Sequence, residues 1–386
     1  MIKNEPMKTY ISATITGLVL LAVFPHQATF GEQEFLAGAD FSHVAWIQSA
    51  GHAYRDGGKV ADPFEILKRR GVNSVRLREY TSSEEQGRQN PYDSINNLQY
   101  NIPVAKRLKE HGFHFLLDFH YSDSWADPGH QTKPKQWEGL SFEELKNAVY
   151  EHSRSSVLAY KKAGVPPDMV QIGNEITAGM IWPEGKNDSP EQWKRFAELI
   201  DAGIRGVRDA SDEKSMPKIM IHIDRGGNWP VVKWFFEHLN EQKIRYDVIG
   251  LSYYPFWNGS FDDLKGCLEN CVREFGKPVI VAETAFPWNE KNWKGEKLEK
   301  INGIAPGKAG QVEFTQHLGE ILRSLPEHKG VGLYWWGAEF LPVEGVNMAG
   351  FEDRSFFDRQ GNALPVIEAV GKLSRPPSAT TGRSSH

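Results

Sequence analysis

Short apolar runs alternate with longer amphipathic stretches along most of the chain. Eight runs carry strand character: Phe35–Asp40, Val72–Arg78, His114–His120, Met169–Glu175, Lys218–His222, Val248–Tyr253, Val279–Glu283 and Gly332–Trp336. Most are continuous in Val, Ile, Leu and Phe, the pattern of strands buried on both faces of a parallel sheet. The stretches between them read as helices with marked starts and stops. Asp62-Pro63 and Ser189-Pro190 each pair an N-cap with a proline at the first helical position. Ser141 and Glu144 have capping-box spacing. Gly71, Gly112, Gly164 and Gly276 each stand shortly before the next run, as glycines past a helix end do. Eight strand-then-helix units predict an α/β chain folded as one (β/α)8 barrel. A doubly wound sheet fits less well, because no Gly-x-Gly-x-x-Gly follows the first run.

The two ends break this pattern. Lys3 and Lys8 precede an apolar run from Ile11 to Phe24, with Ala28 as a cleavage point, so residues 1–30 read as an export signal. The run is short for a membrane span, which leaves an uncleaved anchor as the weaker alternative. Residues 374–386 are rich in Ser, Pro, Thr and Arg and read as a disordered tail. The catalytic domain is then residues 31–373, secreted or periplasmic.

The chain has 386 residues, ordinary for a barrel with loop insertions. A net charge of −5 implies no basic face, so nucleic acid is not expected as a partner. Twelve Trp residues change the picture more, because several fall in predicted loops where a ring can stack on a sugar. Cys267 and Cys271 fall four apart on one helix face. A disulfide there needs helix-end geometry, and two buried thiols is the plainer reading. Asn187-Asp-Ser189 and Asn258-Gly-Ser260 have the glycosylation-acceptor pattern.

Two of the eight runs end in glutamate. Glu175 closes the fourth and Glu283 the seventh, and in a barrel these strands face each other across the mouth. Glycosidic cleavage needs one carboxylic acid to protonate the leaving oxygen and a second carboxylate to attack the sugar or activate water. Asn174 beside Glu175 could bind a sugar 2-hydroxyl. Arg76 and Arg78 end the second run, and either could orient Glu283; alternation points both the same way and does not choose between them. His120, Tyr253, Tyr254, Trp335 and Trp336 end other runs. Trp335 and Trp336 cannot both face the cavity, since neighbours on a strand point oppositely. Asp118, Asp123 and His120 could instead hold a metal, though a hydrogen-bonded histidine is the simpler reading. The loops after strands one to four and after strand seven are long, which suits a cleft for an extended substrate.

Longer segments narrow the reading. Gly38-Ala-Asp-Phe-Ser42, Val75-Arg-Leu-Arg78, Asp118-Phe-His-Tyr-Ser-Asp-Ser-Trp-Ala-Asp-Pro-Gly129, Gly173-Asn-Glu-Ile-Thr-Ala-Gly-Met-Ile-Trp-Pro183, Ser252-Tyr-Tyr-Pro-Phe-Trp257 and Glu283-Thr-Ala-Phe-Pro-Trp288 together resemble glycoside hydrolase family 53. The resemblance spans about Phe35 to Lys372. It implies an arabinogalactan endo-β-1,4-galactanase that retains anomeric configuration, with Glu175 as acid/base and Glu283 as nucleophile. It implies a first shell of Asn174, the strand-two arginine, His120, Tyr253 or Tyr254 and the strand-eight tryptophan. Trp125 and Asp127 match a family segment, and Trp182 a sugar-stacking position. The expected partner is β-1,4-galactan, and the expected state a monomer. No cofactor is expected in the chemistry. A structural calcium ion is an open expectation, since the loop from Asn289 to Glu296 mixes carboxylates and amides with two lysines and lacks a regular ligand spacing.

Overall fold

In the computed structural model, which describes residues 1, 34–291 and 294–375, all eight strands form and close into one parallel barrel. They are β1 (Leu36–Asp40), β2 (Ser74–Glu79), β3 (His114–Phe119), β4 (Met169–Ile172), β5 (Lys218–Ile223), β6 (Val248–Ser252), β7 (Val279–Thr284) and β8 (Gly330–Trp335). The order around the barrel is sequential, with β1 paired to both β2 and β8. Residues 2–33, which include the expected export signal apart from Met1, and residues 376–386 of the expected tail lie outside the described residues. Ser374, placed in the tail by composition, donates its hydroxyl to Gly371 O and Gly71 O and so belongs to the fold. No helix among the described residues is long and apolar enough to cross a membrane.

The predicted caps are present. Asp62 accepts from Phe64 N at the start of α1 (Pro63–Arg69). Ser141 and Glu144 close a reciprocal capping box on α3 (Phe142–Lys162), the helix after α2 (Leu98–Glu110). Ser189 caps α4 (Pro190–Ala210), and beyond α5 (Trp229–Glu241), Ser260 caps α6 (Phe261–Phe275). These two serines are the ones that complete the glycosylation patterns. Their asparagines are also engaged: Asn187 is buried and donates to Thr177 O, and Asn258 donates to Asp224 O. The patterns serve turns and caps here. The layer closes with α7 (Lys308–Ser324) and α8 (Val366–Gly371). Cys267 and Cys271 are free and buried on α6.

Strand alternation sorts the side chains into two cores. Leu36, Leu116, Met169, Met220, Val248, Ile280, Ala282, Val331 and Tyr334 fill the barrel interior. A larger cluster lies between strands and helices. Tyr334 needs a glycine opposite: a Cβ on Gly38 would stand 2.3 Å from its ring. Above this floor the inward positions turn polar, as Asp40, Arg76, Arg78, Asp118, Gln171, His222 and Ser252, and the cleft stands on them.

Glu79 points the other way, into the helix layer. It is fully buried; Tyr160 donates to its Oε2 at 2.6 Å, and its Oε1 lies 3.8 Å from His152 Nε2 with no hydrogen bond. Burial raises its carboxyl from 4.5 to about 7. The folded state therefore binds a proton that the unfolded state has released, and stability falls as pH rises from about 4.5 to about 7. Glu79→Gln stays neutral throughout. Thermal melts should show it gaining on the order of 2 kcal/mol over the wild type at pH 8 and almost nothing at pH 4.5. An equal effect at both pH values would contradict this account of Glu79.

Candidate active site

The cleft has a volume of about 440 Å³ and opens at the C-terminal ends of the strands. Glu175 does not end β4 as the sequence suggested. The strand stops at Ile172, and Glu175 follows Gly173 and Asn174 in a turn, with a left-handed φ of 50°. Left-handed backbone is uncommon for a residue other than glycine and collects at functional sites. Glu283 does lie within β7, but simple alternation would point it outward. Ile280 and Ala282 already face the interior. The register between β6 and β7 slips here, with Leu251 opposite Val281 and Ser252 opposite Glu283. The additional residue on β7 swings Glu283 into the mouth, the re-aiming that a β-bulge produces. One carboxylate oxygen of Glu175, one of Glu283 and a ring nitrogen of His222 lie within 4.8 Å of one another.

The two carboxylates have different surroundings. Glu283 Oε1 accepts from Arg76 Nη2 at 2.5 Å, and Oε2 accepts from Tyr254 Oη at 2.9 Å. Both its oxygens have strong donors. Glu175 accepts at Oε1 from Ser252 Oγ at 2.5 Å. Burial, the Glu283 charge and the Asp224 charge push its carboxyl well above the usual range, against Ser252 and Arg76. Environments that separate two neighbouring carboxyls in this way fit one for acid work and the other for attack.

Both arginines of β2 reach the site, at different depths. Arg76 is fully buried and bridges Glu283 to Asp40 through Nε at 2.9 Å. Arg78 lines the cleft, donating to His43 Nδ1 at 2.9 Å and lying 3.2 Å from Asp40. Its guanidinium is 5.1 Å from the Trp125 ring and 5.6 Å from the Trp336 ring, within cation–π range. Burial would raise the Asp40 carboxyl, but Arg78 and Arg76 outweigh it and hold the group at about 2.

Alternation resolves the paired aromatics. Tyr254 faces Glu283, whereas Tyr253 turns outward and donates to Gly259 O. Trp336 lines the cleft, whereas Trp335 lies in the outer core, bonded to Arg354 O and packed on Phe314 and Phe356. Tyr253 and Trp335 are therefore removed from the candidate site. Trp125, Asp127, Asn174 and His120 all line the cleft. Ala126 N donates to His120 Nδ1 at 2.9 Å, which puts the ring proton on Nε2, 3.2 Å from Asp118. Asp123 instead binds Thr81, Gln86 and the Lys135 amide, so the Asp118, His120, Asp123 metal set does not assemble. Trp182 is absent from this cleft; its indole donates to Ala178 O and Lys186 sits over its ring.

The sequence reading passed over several lining residues. Asp224, Arg225, Ser252, Trp257, Asn258 and Phe351 all border the cleft, and Trp257 is 65% exposed. Inward alternation past Met220 would have reached His222 and Asp224. The strand-eight loop, from Trp336 to the start of α8, is also long and supplies Phe351. Where it meets the strand-seven loop, Asn289 donates an amide hydrogen to Asp353, whose two oxygens are already held by Arg359 at 2.9 and 2.8 Å. A guanidinium-paired carboxylate and an amide presenting N–H do not make a calcium cage, so the described residues at this junction do not fit that ion.

Comparison with known proteins matches this architecture. The model of glycosyl hydrolase family 53 matches residues 36–370. An arabinogalactan endo-beta-1,4-galactanase of Thermothelomyces thermophilus is 34% identical, over 87% of this chain and 98% of its own. One from Cellvibrio japonicus is 32% identical, over 90% of this chain and 94% of its own. The family 53 catalytic domain of Ignisphaera aggregans superposes with a TM-score of 0.81 at 34% identity, covering 90% of this chain and 98% of that one.

Proposed function

The chain belongs to glycosyl hydrolase family 53 and is a glycoside hydrolase; from that premise we propose that it cuts internal β-1,4-galactosidic bonds of type I arabinogalactan, the galactan side chains of pectin, with retention of configuration. The observation that carries the mechanism is the asymmetric carboxylate pair. Its nearest oxygens lie within 4.8 Å. Oxygens this close are in keeping with double displacement, where the carboxyl groups stand roughly 5–5.5 Å apart and the second attacks the sugar directly. The substrate rests on the relatives, which carry the name arabinogalactan endo-beta-1,4-galactanase.

In the first step Glu283 attacks the anomeric carbon. The glycosidic C–O bond breaks, and Glu175 gives its proton to the departing oxygen. In the second step water attacks the same carbon, Glu175 takes a proton from it, and the bond to Glu283 breaks. Arg76 and Tyr254 orient the nucleophile and receive its charge when it leaves again. Asn174 spends one amide hydrogen on Ala126 O at 2.8 Å and keeps the other for the sugar 2-hydroxyl. Trp336 and Trp125 floor the sugars nearest the cut, Trp257 offers a further stacking face, and Trp182 serves a subsite beyond the cleft. No metal takes part in either step. With residues 1–30 as an export signal, the enzyme works outside the cytoplasm on a polymer.

Linear β-1,4-galactan is the test substrate, with mannan and glucan as controls. Short galacto-oligosaccharides and an early fall in viscosity are expected from galactan alone. Cleavage of a control without cleavage of galactan would overturn the substrate assignment while leaving the two-glutamate mechanism standing.

A further inference from the structure

Glu175 must carry its proton on the oxygen that meets the glycosidic bond, and a carboxyl group has two. Ser252 Oγ lies 2.5 Å from Oε1. Among the described residues no hydrogen bond reaches Oε2, and this atom is not among the buried polar atoms left without a partner. Oε2 is thus the oxygen open to the cleft. Behind Ser252, its Oγ lies 2.8 Å from His222 Nε2. His222 Nδ1 lies 3.0 Å from Gln171 Nε2 and 3.1 Å from Asn174 Oδ1. All of these side chains except Glu175 are buried. We infer that His222 and Ser252 are positioning residues whose hydrogen-bonded chain fixes the catalytic proton of Glu175 on its cleft-facing oxygen.

The direction of the chain follows from what each atom can donate. Gln171 Nε2 carries only hydrogens, and its two hydrogens are shared among His222 Nδ1, Asn174 Oδ1 at 3.0 Å and Gly173 O at 3.1 Å; in the inferred chain His222 Nδ1 accepts one of them and the ring proton sits on Nε2. Nε2–H then donates to Ser252 Oγ, and the hydroxyl is left to donate onward to Glu175 Oε1. An oxygen already accepting that hydrogen bond is the poorer place for a proton, so the proton takes Oε2. From there it passes to the leaving oxygen, which keeps the electron pair of the broken C–O bond. The opposite tautomer would reverse the chain. With the hydrogen on Nδ1 and aimed at Asn174 Oδ1, Ser252 would donate to His222 and accept from Glu175, and the acid proton would point away from the substrate.

The ring can act this way because it stays uncharged. Burial and then the Arg76 charge lower His222 to about 3, against the pull of Asp118, with His120 also lowering it. The groups that bear on Glu175 itself come from four further elements: Arg76 on β2, Asp224 after β5, Ser252 on β6 and Glu283 on β7. Among them Ser252 is an uncharged donor in direct hydrogen bond. The sequence assigned no role to His222 or Ser252, because nothing in their own strands shows that the two side chains meet beside Glu175.

This inference rests on Glu175 as acid/base, and its test separates the two. Two-bond 15N–1H correlation spectra of the histidine-labelled enzyme at pH 6, with His222→Gln to identify the signal, report the tautomer directly. Protonation on Nε2 is expected; a ring protonated on Nδ1 would overturn the inference even if no variant were active. Ser252→Ala should then lower kcat/KM on galactan roughly 10- to 100-fold, part of the ~10²–10⁴ that a general acid supplies. On a dinitrophenyl β-1,4-galactobioside, whose leaving group needs no proton, the loss should stay under roughly threefold. The basic limb of the galactan pH profile should also move upward, because the variant loses a donor to the carboxylate form. Equal losses on both substrates in Ser252→Ala, beside a leaving-group-dependent loss in Glu175→Ala, would sink the inference and leave the acid role intact. Equal losses in Glu175→Ala itself would remove the acid role first.

Discussion

Glu283→Gln is expected to abolish galactan cleavage while leaving the barrel folded. The amide fills the same space and its oxygen still accepts from Arg76 or Tyr254, which donate 2.5 and 2.9 Å away in the wild type. What disappears is the oxygen that bonds to the anomeric carbon. Without a nucleophile the enzyme keeps only binding and electrostatic stabilisation, and kcat should fall by about 10⁴-fold or more. Arg76 loses one anionic partner but keeps Asp40 at 2.9 Å and Asp118 at 3.8 Å. The stability cost should accordingly stay near 1 kcal/mol. Turnover on galactan and a thermal melt check both parts. A variant that cleaves galactan within tenfold of the wild type would remove Glu283 from the chemistry.

Glu175→Ala is expected to separate substrates by leaving group. On galactan, kcat/KM should drop about 10³-fold, because the departing sugar oxygen needs a proton. On a dinitrophenyl galactobioside it should drop less than about tenfold, with an initial burst as the glycosyl-enzyme accumulates without a general base. The pH profile follows from the same group. Burial, Glu283 and Asp224 raise the Glu175 carboxyl well above 4.5, so the acid form persists to higher pH. Galactan activity falls as pH rises through the raised value, and the variant should lose that limb. The stability sign is fixed too. The folded state holds a proton that the unfolded chain has already lost, so this carboxyl costs stability as pH rises above about 4.5. The variant should therefore tolerate mildly alkaline pH better than the wild type, apart from the effect of the lost side chain.

Strand identity was legible in the sequence because a parallel barrel buries both faces of every strand. The runs needed no partner to be recognised, and all eight formed within a few residues of their expected bounds. Local rules also carried over: the caps at Asp62, Ser141 and Ser189 depend only on neighbours in the chain. Side-chain direction was legible where alternation held. It separates Tyr254 from Tyr253 and Trp336 from Trp335 once one interior residue on the strand is known, and Val248 and Tyr334 supply that reference. Alternation fails at Glu283, where a one-residue register shift in β7 reverses the expected side. A bulge depends on how neighbouring strands pair, and one strand's sequence does not contain that. The depth difference between Arg76 and Arg78 was hidden for a similar reason, because it is set by Asp40, Trp125 and Trp336 from other strands and loops. His222 and Ser252 were passed over because a polar residue inside an apolar run looks like a tolerated exception. The interior of this barrel becomes polar one layer below the cleft, and such exceptions there mark the site.

Real-time 1H NMR of galactan hydrolysis tests substrate and stereochemistry together. The account predicts that new reducing ends appear first as β-galactose and only later convert to the α-anomer by mutarotation. Reducing ends that appear first as α, or galactan that yields none, would contradict it.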